Sequence, residues 1–287
     1  MTLLEYLREL SQKTLTHESK KIKLKSGVLE DLKKKTVVIL PAGGEGTRAR
    51  SLTGDQDINK AIFGFTEGKS LIEMTIGMYR DAGFRNFLCL TYFRSESVRQ
   101  KLGDGSSLGV SISYSEDPGY AAGRGGAILN ALETGILPRD RTGIISNPDD
   151  IIHFTERPFP ELLLETHVRG TKKNARATIV VVPATPYTYT GMAISNGFVS
   201  DITMYPMVPI PAHVGITVMD SSCWDLFDAL IEWGKKVDFE SVVLPRLAEE
   251  GTLYTCVIPY SCWFPVNDLK GARRLKAALE IQKSDES

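Results

Sequence analysis

Residues 36–48 read Thr36-Val37-Val38-Ile39-Leu40-Pro41-Ala42-Gly43-Gly44-Glu45-Gly46-Thr47-Arg48. The first seven form an unbroken apolar run without alternation, the pattern of a strand covered on both faces. A glycine-rich turn follows. Glycine lets backbone N–H groups approach a phosphate closely, and a helix starting beyond the turn adds its positive dipole end. A doubly covered strand running into such a turn predicts an open α/β sheet with a ligand at the strand's C-terminal end.

The flanking sequence repeats the theme. Ser70-Leu71-Ile72-Glu73 is a capping box, followed by Met74, Ile76, Met78 and Tyr79 at helical spacing. Residues 86–92 predict a second buried strand, residues 110–114 a third and residues 143–146 a fourth, with a helix marked by Ala127, Ile128, Ala131 and Leu132 between the last two. Ala177–Val182 predicts a further strand, residues 191–204 a hairpin turning at Asn196-Gly197, and residues 214–219 another strand. Helices are expected from near Ser221, Phe239 and Leu269. The fold class expected is α/β: a Rossmann-like, mostly parallel sheet flanked by helices on both faces, with a mixed or antiparallel C-terminal elaboration. Residues 36–287 are expected to form this one domain. Residues 1–35 read as an extension: Leu3, Leu4, Leu7 and Leu10 recur at helical spacing, and Lys20, Lys21, Lys23, Lys25, Lys33, Lys34 and Lys35 read as a solvated linker face.

The whole chain has 287 residues and a formal net charge of −1, which gives no global attraction to nucleic acid or anionic lipid. No aromatics interleave the lysines as a single-strand-binding surface would want. No apolar run reaches membrane-spanning length, and the N-terminus lacks a basic segment and cleavage site typical of a secretory signal. Cys89, Cys223, Cys256 and Cys262 form no C-x-x-C pair, so neither zinc nor a disulfide framework is expected and a reducing cytoplasm fits.

Several chemistries compete for the glycine turn. A P-loop is excluded, because no G-x-x-x-x-G-K-[ST] occurs. Gly44, Gly46 and Ala49 match the dinucleotide pattern, but the acidic residue it needs falls on Glu67 or Glu73, and Glu73 is already part of the helix cap. A nucleoside-triphosphate loop is the third reading, with Arg48 and Lys60 supplying cations at short range. The bland alternative is a turn that only connects a strand to a helix.

The segment ILPAGGEGTR resembles the opening signature of the sugar-nucleotide pyrophosphorylase family of nucleotidyltransferases, roughly A-G-G-x-G-T-R followed by a lysine. The resemblance implies triphosphate binding by Pro41, Ala42, Gly43, Gly44, Gly46 and Thr47, with Arg48 on the departing phosphates and Lys60 on phosphate. Lys60 follows Asn59, where the family has proline. Residues 70–83 are similar to the family's first helix. Residues 116–128 (EDPGYAAGRGGAI) resemble its base-cradling segment, which implies nucleotide contacts from Glu116, Gly123 and Arg124. The bland reading of Gly123, Gly125 and Gly126 is tight packing at a helix start.

Ser146-Asn147-Pro148-Asp149-Asp150 follows the fourth strand, where open sheets place ligand-binding carboxylates. The resemblance implies that Asp149 holds Mg2+, while Asp150 reads as a turn or cap residue; the bland alternative gives both carboxylates to a turn. The family's second metal carboxylate is replaced by Pro265 in Trp263-Phe264-Pro265-Val266-Asn267-Asp268, and Asp268 reads as the N-cap of the last helix. The family's Glu-Lys-Pro, which handles the sugar phosphate, is Met204-Tyr205-Pro206 here.

The implied reaction transfers a nucleoside monophosphate from a triphosphate to a phosphorylated small molecule, foremost a sugar 1-phosphate, and releases pyrophosphate. An anionic acceptor phosphate needs no general base, consistent with four scattered histidines, His17, His153, His167 and His213. The partners expected are a nucleoside triphosphate and the acceptor, with homo-oligomerisation left open. A non-catalytic nucleotide-binding regulatory subunit and a nicotinamide-dependent oxidoreductase are the alternatives.

Overall fold

The computed structural model describes residues 2, 5, 7–9, 24, 26–45, 59–66, 68–153, 155 and 157–285. Gly46, Thr47 and Arg48 lie outside the described residues, as do Leu3, Leu4, Leu10, His17, the lysines at positions 20, 21, 23 and 25, and Glu67. In chain order the main elements are α1 (Ser26–Lys35), β1 (Thr36–Ala42), α2 (Leu71–Asp81), β2 (Asn86–Thr91), α3 (Ser95–Leu102), β3 (Ser111–Glu116), α4 (Gly123–Glu133), β4 (Thr142–Ser146), α5 (Phe159–Thr171), β5 (Ala177–Val182), β6 (Ala212–Met219), α6 (Trp224–Leu230), α7 (Phe239–Glu249), β7 (Leu253–Val257) and α8 (Leu269–Asp285).

The central sheet has seven strands in the order β7-β5-β6-β4-β1-β2-β3. Every neighbouring pair is parallel except the two made by β6, which runs against both β4 and β5. The expected α/β class therefore holds. The unbroken apolar run of β1 is explained by its two faces. Val38 and Leu40 join a core with Ile72, Ile76 and Val98 of α2 and α3, whereas Ile39 joins an opposite core with Ile128, Trp224 and Phe227. Each fully buried side chain of this kind contributes about 1.5–3 kcal/mol, so a strand packed on both faces has no solvent-facing register to slip into.

Strand order also locates the site. From β1 the chain proceeds outward to β2 and β3, then returns through α4 to β4 on the other side of β1. The connections leaving β1 and β4 diverge, and the crevice between them is where open sheets bind ligands.

Local signals behave as their chemistry dictates. Ser70 caps α2, and the Glu73 carboxylate in turn accepts from the Ser70 backbone N–H at 2.8 Å. Asn196 and Gly197 adopt φ of 51° and 82° between hairpin strands Gly191–Ser195 and Phe198–Thr203. Asp268 caps α8 by accepting from the Gly271 backbone N–H at 2.8 Å. The lysine stretch departs from its solvated reading at Lys33. This side chain is buried and ion-paired with Glu30 at 2.7 Å and Glu161 at 2.9 Å, while Leu29 joins the main core. Burial alone would lower the Lys33 ammonium, but the two carboxylates outweigh it and raise it. All four cysteines are buried and none is disulfide-bonded. No helix among the described residues is long and apolar enough to cross a membrane.

His167 of α5 is buried against the Thr178 hydroxyl at 3.0 Å. Burial lowers its imidazole to about 4 from an ordinary 6.5. The unfolded chain therefore takes up a proton, between those two values, that the folded protein refuses. Stability present above pH 6.5 is lost as pH falls toward 4, by at most about 3 kcal/mol. Urea unfolding at neutral and mildly acidic pH should show a shallower pH slope for His167→Gln than for the wild type. Equal slopes would contradict the assignment.

Candidate active site

The turn leaving β1 is held by its neighbours. Gly43 accepts from the Phe93 backbone N–H at 3.2 Å, and a Cβ there would sit 3.2 Å from Tyr92, so the backbone passes close over the end of β2. Asn59 is almost fully buried and does what a proline could not. Its amide nitrogen donates to Ala42 O at 2.6 Å and Phe93 O at 2.8 Å, and its amide oxygen caps the short 3-10 turn Lys60–Ile62 by accepting from Ala61 N at 2.9 Å. Lys60 is thereby fixed beside the C-terminal end of β1.

From the other wall comes the connection after β4. The Lys60 ammonium donates to Asp149 Oδ2 at 2.6 Å and to Asn267 Oδ1 at 3.3 Å. Asp149 O accepts from Val266 N at 2.8 Å, which ties the β4 connection to the segment before α8. Asp150 points inward. It accepts from the Trp263 indole N–H at 2.9 Å and from the Asn147 amide at 3.2 Å, within a strand pair formed by Asp150–Ile152 and Trp263–Pro265. Burial, aided by the Asp149 charge, pushes its carboxyl up to about 7. Asp150 is therefore a buried structural carboxyl and not merely a turn residue.

The third wall is the start of α4. Gly123 has φ of 73°, and a Cβ there would lie 2.6 Å from Val237 O; at Gly125 it would lie 2.8 Å from the same oxygen. Both glycines let the helix start meet the segment before α7, and Gly125 N donates to Val237 O at 2.8 Å. Arg124 bridges to that segment too, pairing with Asp238 at 3.2 Å and with Glu240, and its guanidinium reaches Asn147 Oδ1 at 3.5 Å. Burial raises the Asp117 carboxyl, with the Glu116 charge adding to it against a hydrogen bond from Ala122 N.

These walls enclose an open cavity of about 540 Å³. Pro41, Ala42, Gly43, Gly44, Lys60, Gly123, Arg124 and Asp149, all singled out from sequence, line it together. Glu116 stands apart: its carboxylate accepts from Ser95 at 2.8 Å and faces Arg99 at 3.7 Å, and Asp117 lines the cavity in its place. The physical reason is strand alternation, which sends successive side chains to opposite sides at the end of β3. Met204 and Tyr205 are exposed and do not line it. Sequence reasoning missed Asp117, Asn147, Lys236, Asp238 and Asn267. Asp117, Asn147, Asp238 and Asn267, each in or beside a segment already singled out, left a local trace, and Lys236 left none.

Among the described residues no three His, Cys, Asp or Glu side chains converge as a metal cage. Asp149 Oδ2 and Asn267 Oδ1 do converge on one cation, the Lys60 ammonium. Two hard oxygen donors beside an open cavity fit Mg2+, which completes its shell with water and phosphate oxygens.

A polar crevice at the switch point of an open sheet, bounded by a glycine turn and a lysine–carboxylate pair, places the chain among the open-sheet α/β proteins, whose ligands bind at strand ends. Within that class the chain belongs to the nucleotidyl transferase family, whose model matches residues 36–263. It is 33% identical over 91 residues to the N-acetylmuramate alpha-1-phosphate uridylyltransferase of Neisseria meningitidis serogroup B. That match spans 32% of this chain and 38% of the relative. Among solved structures, a Bacillus anthracis chain described as a candidate glucose-1-phosphate thymidylyltransferase, in complex with sucrose, superposes with a TM-score of 0.63. The superposition covers 85% of this chain and 94% of that one at 18% identity, a likeness of fold.

Proposed function

We propose that this protein transfers a nucleoside monophosphate from a nucleoside triphosphate to a sugar 1-phosphate, yielding an NDP-sugar and pyrophosphate. The observation that carries this reading is the convergence of Lys60, Asp149 and Asn267 at the mouth between β1 and β4. The names of the two similar proteins support the acceptor class, since each specifies a sugar 1-phosphate and a pyrimidine nucleotide.

In the proposed reaction an acceptor phosphate oxygen attacks the α-phosphorus in line, that bond forms as the α–β bridging P–O bond breaks, and pyrophosphate departs. The attacking oxygen is already anionic, so no side chain has to remove a proton. Gly43 and Gly44 offer close backbone approach to the triphosphate, Lys60 neutralises phosphate charge, and Arg48 acts on the departing phosphates. Bound between Asp149 and Asn267, Mg2+ would supply Lewis-acid stabilisation of developing charge. With Met204-Tyr205 outside the cavity, the acceptor's phosphate falls to Lys60 or Lys236, which line it among the described residues, as Arg124 is held by two carboxylates.

The test is pyrophosphate release with each common nucleoside triphosphate, Mg2+ and a panel of sugar 1-phosphates. Release dependent on both substrates is expected. Tight triphosphate binding without release under any pairing would favour the regulatory-subunit reading. Arg48→Ala should lower triphosphate affinity or turnover by roughly one to two orders of magnitude, since a charge-assisted contact is worth about 1.5–3 kcal/mol. Unchanged affinity and turnover would remove Arg48 from the site.

A further inference from the structure

Among the described residues, eleven of the sixteen exposed large apolar side chains fall between Tyr187 and Ile210. Their centre is the hairpin Gly191–Ser195 and Phe198–Thr203. Met192 lies opposite Ile202, and Ile194 opposite Val199 across a bulge, so these four side chains share one face of the ribbon. Their exposures run from 51% to 69%, and Phe198 beside the turn reaches 79%. Of the hairpin strands only Gly191 is buried, and every side chain of the face that carries Met192, Ile194, Val199 and Ile202 is exposed. A lone two-stranded ribbon is marginal in water, and an apolar one more so.

The residues also say what kind of surface covers it. From Tyr187 to Ala212 the only charged side chain is Asp201. Without lysine or arginine, the segment has no means of seeking phosphate backbones or anionic lipid. Low charge and high apolar content instead match homodimer interfaces, which are more apolar than transient contacts between different proteins. The exposed apolar area of the segment is on the order of 1,000 Å², against about 800 Å² per partner in a stable interface and about 300–600 Å² for the largest patch of a typical monomer. We propose that this arm is an isologous dimer interface whose occupant is the same arm of a second copy of this chain. Two identical apolar ribbon faces stacked about a two-fold axis bury each other without any charge to match.

Sedimentation velocity or light scattering on the full chain tests this from low to high micromolar concentration. The wild type should have twice the 31.7 kDa chain mass. The double variant Ile194→Glu/Val199→Glu should raise the dimer dissociation constant at least about 100-fold, because it places like charges at the centre of an apolar contact. Val28→Glu, an exposed apolar position on α1, should leave the dimer intact. Thermal unfolding of the variant monitors the domain. If the double variant does not fold, Met192→Lys/Ile202→Lys reads the same face. A monomeric wild type at every concentration, including one that instead floats with neutral phosphatidylcholine vesicles, would overturn the proposal. So would a folded arm variant that dimerises as the wild type does.

Discussion

Asp149→Asn is expected to lower pyrophosphate release by two to four orders of magnitude while leaving the protein folded and able to bind a triphosphate, on the basis that charge stabilisation of a transferring phosphoryl group is worth several kcal/mol and each 1.36 kcal/mol is tenfold in rate. The substitution keeps the side chain's shape and removes its charge. Asp149 Oδ2 lies 2.6 Å from the Lys60 ammonium, which also reaches the Asn267 amide oxygen at 3.3 Å. Its side chain is partly open to solvent, so loss of the ion pair should cost only about 0–1 kcal/mol of stability. Asp150→Asn gives the opposite result. Its carboxyl is buried between the Trp263 indole and the Asn147 amide. An asparagine there can satisfy the indole but turns its own N–H toward that amide, a loss of about 1–3 kcal/mol in stability. Turnover and urea unfolding measured on both variants separate the two roles. An Asp149→Asn enzyme with near wild-type turnover would dismiss Asp149 from the chemistry, and a reversal between the two variants would shift the assignment to Asp150.

Gly215→Ala should be the most damaging single methyl addition near the site. Gly215 sits in β6 with φ of 74°, at the register shift between His213 and Thr217 in its pairing with β5. An added Cβ would run into the Asn147 amide nitrogen and come within 2.5 Å of Asp150 Oδ2. A left-handed backbone costs a residue with a Cβ about 1–3 kcal/mol, and overpacking adds about 1–3 kcal/mol, so a total of about 2–6 kcal/mol is expected. The neighbours cannot yield cheaply, because Asp150 is held by Trp263 and Asn147 N is bound to Gly215 O at 3.2 Å. Displacing this pair also displaces Asp149, so turnover should fall at temperatures where the variant remains folded. The measurements are urea unfolding and pyrophosphate release on the same preparations. A variant as stable as the wild type would show that β6 relaxes at this point.

What could be read along the chain was whatever depends on near neighbours. The run Thr36–Ala42 announces a strand packed on both faces because its residues from Val37 onward are apolar without alternation, and Val38, Ile39 and Leu40 are indeed divided between two cores. Ser70 with Glu73, Asn196 with Gly197, and Asp268 carry their caps and turn within three residues, so sequence alone determined those structures. The positions of Gly43, Gly44, Lys60 and Asp149 around one crevice followed from strands ending in loops on the same side of a parallel sheet. Tertiary structure decided the rest. That Lys60 faces both Asp149 and Asn267, that Asp117 turns into the cavity while Glu116 turns to Ser95 and Arg99, and that Gly123 and Gly125 are required by the backbone of Val237 are contacts between segments far apart in the chain. The antiparallel course of β6 belongs with them, because strand direction is set by which partner the sheet offers, and its buried face is equally apolar either way. Local periodicity records how a residue packs against its neighbours a few positions away; it carries no record of which distant segment stands across the crevice.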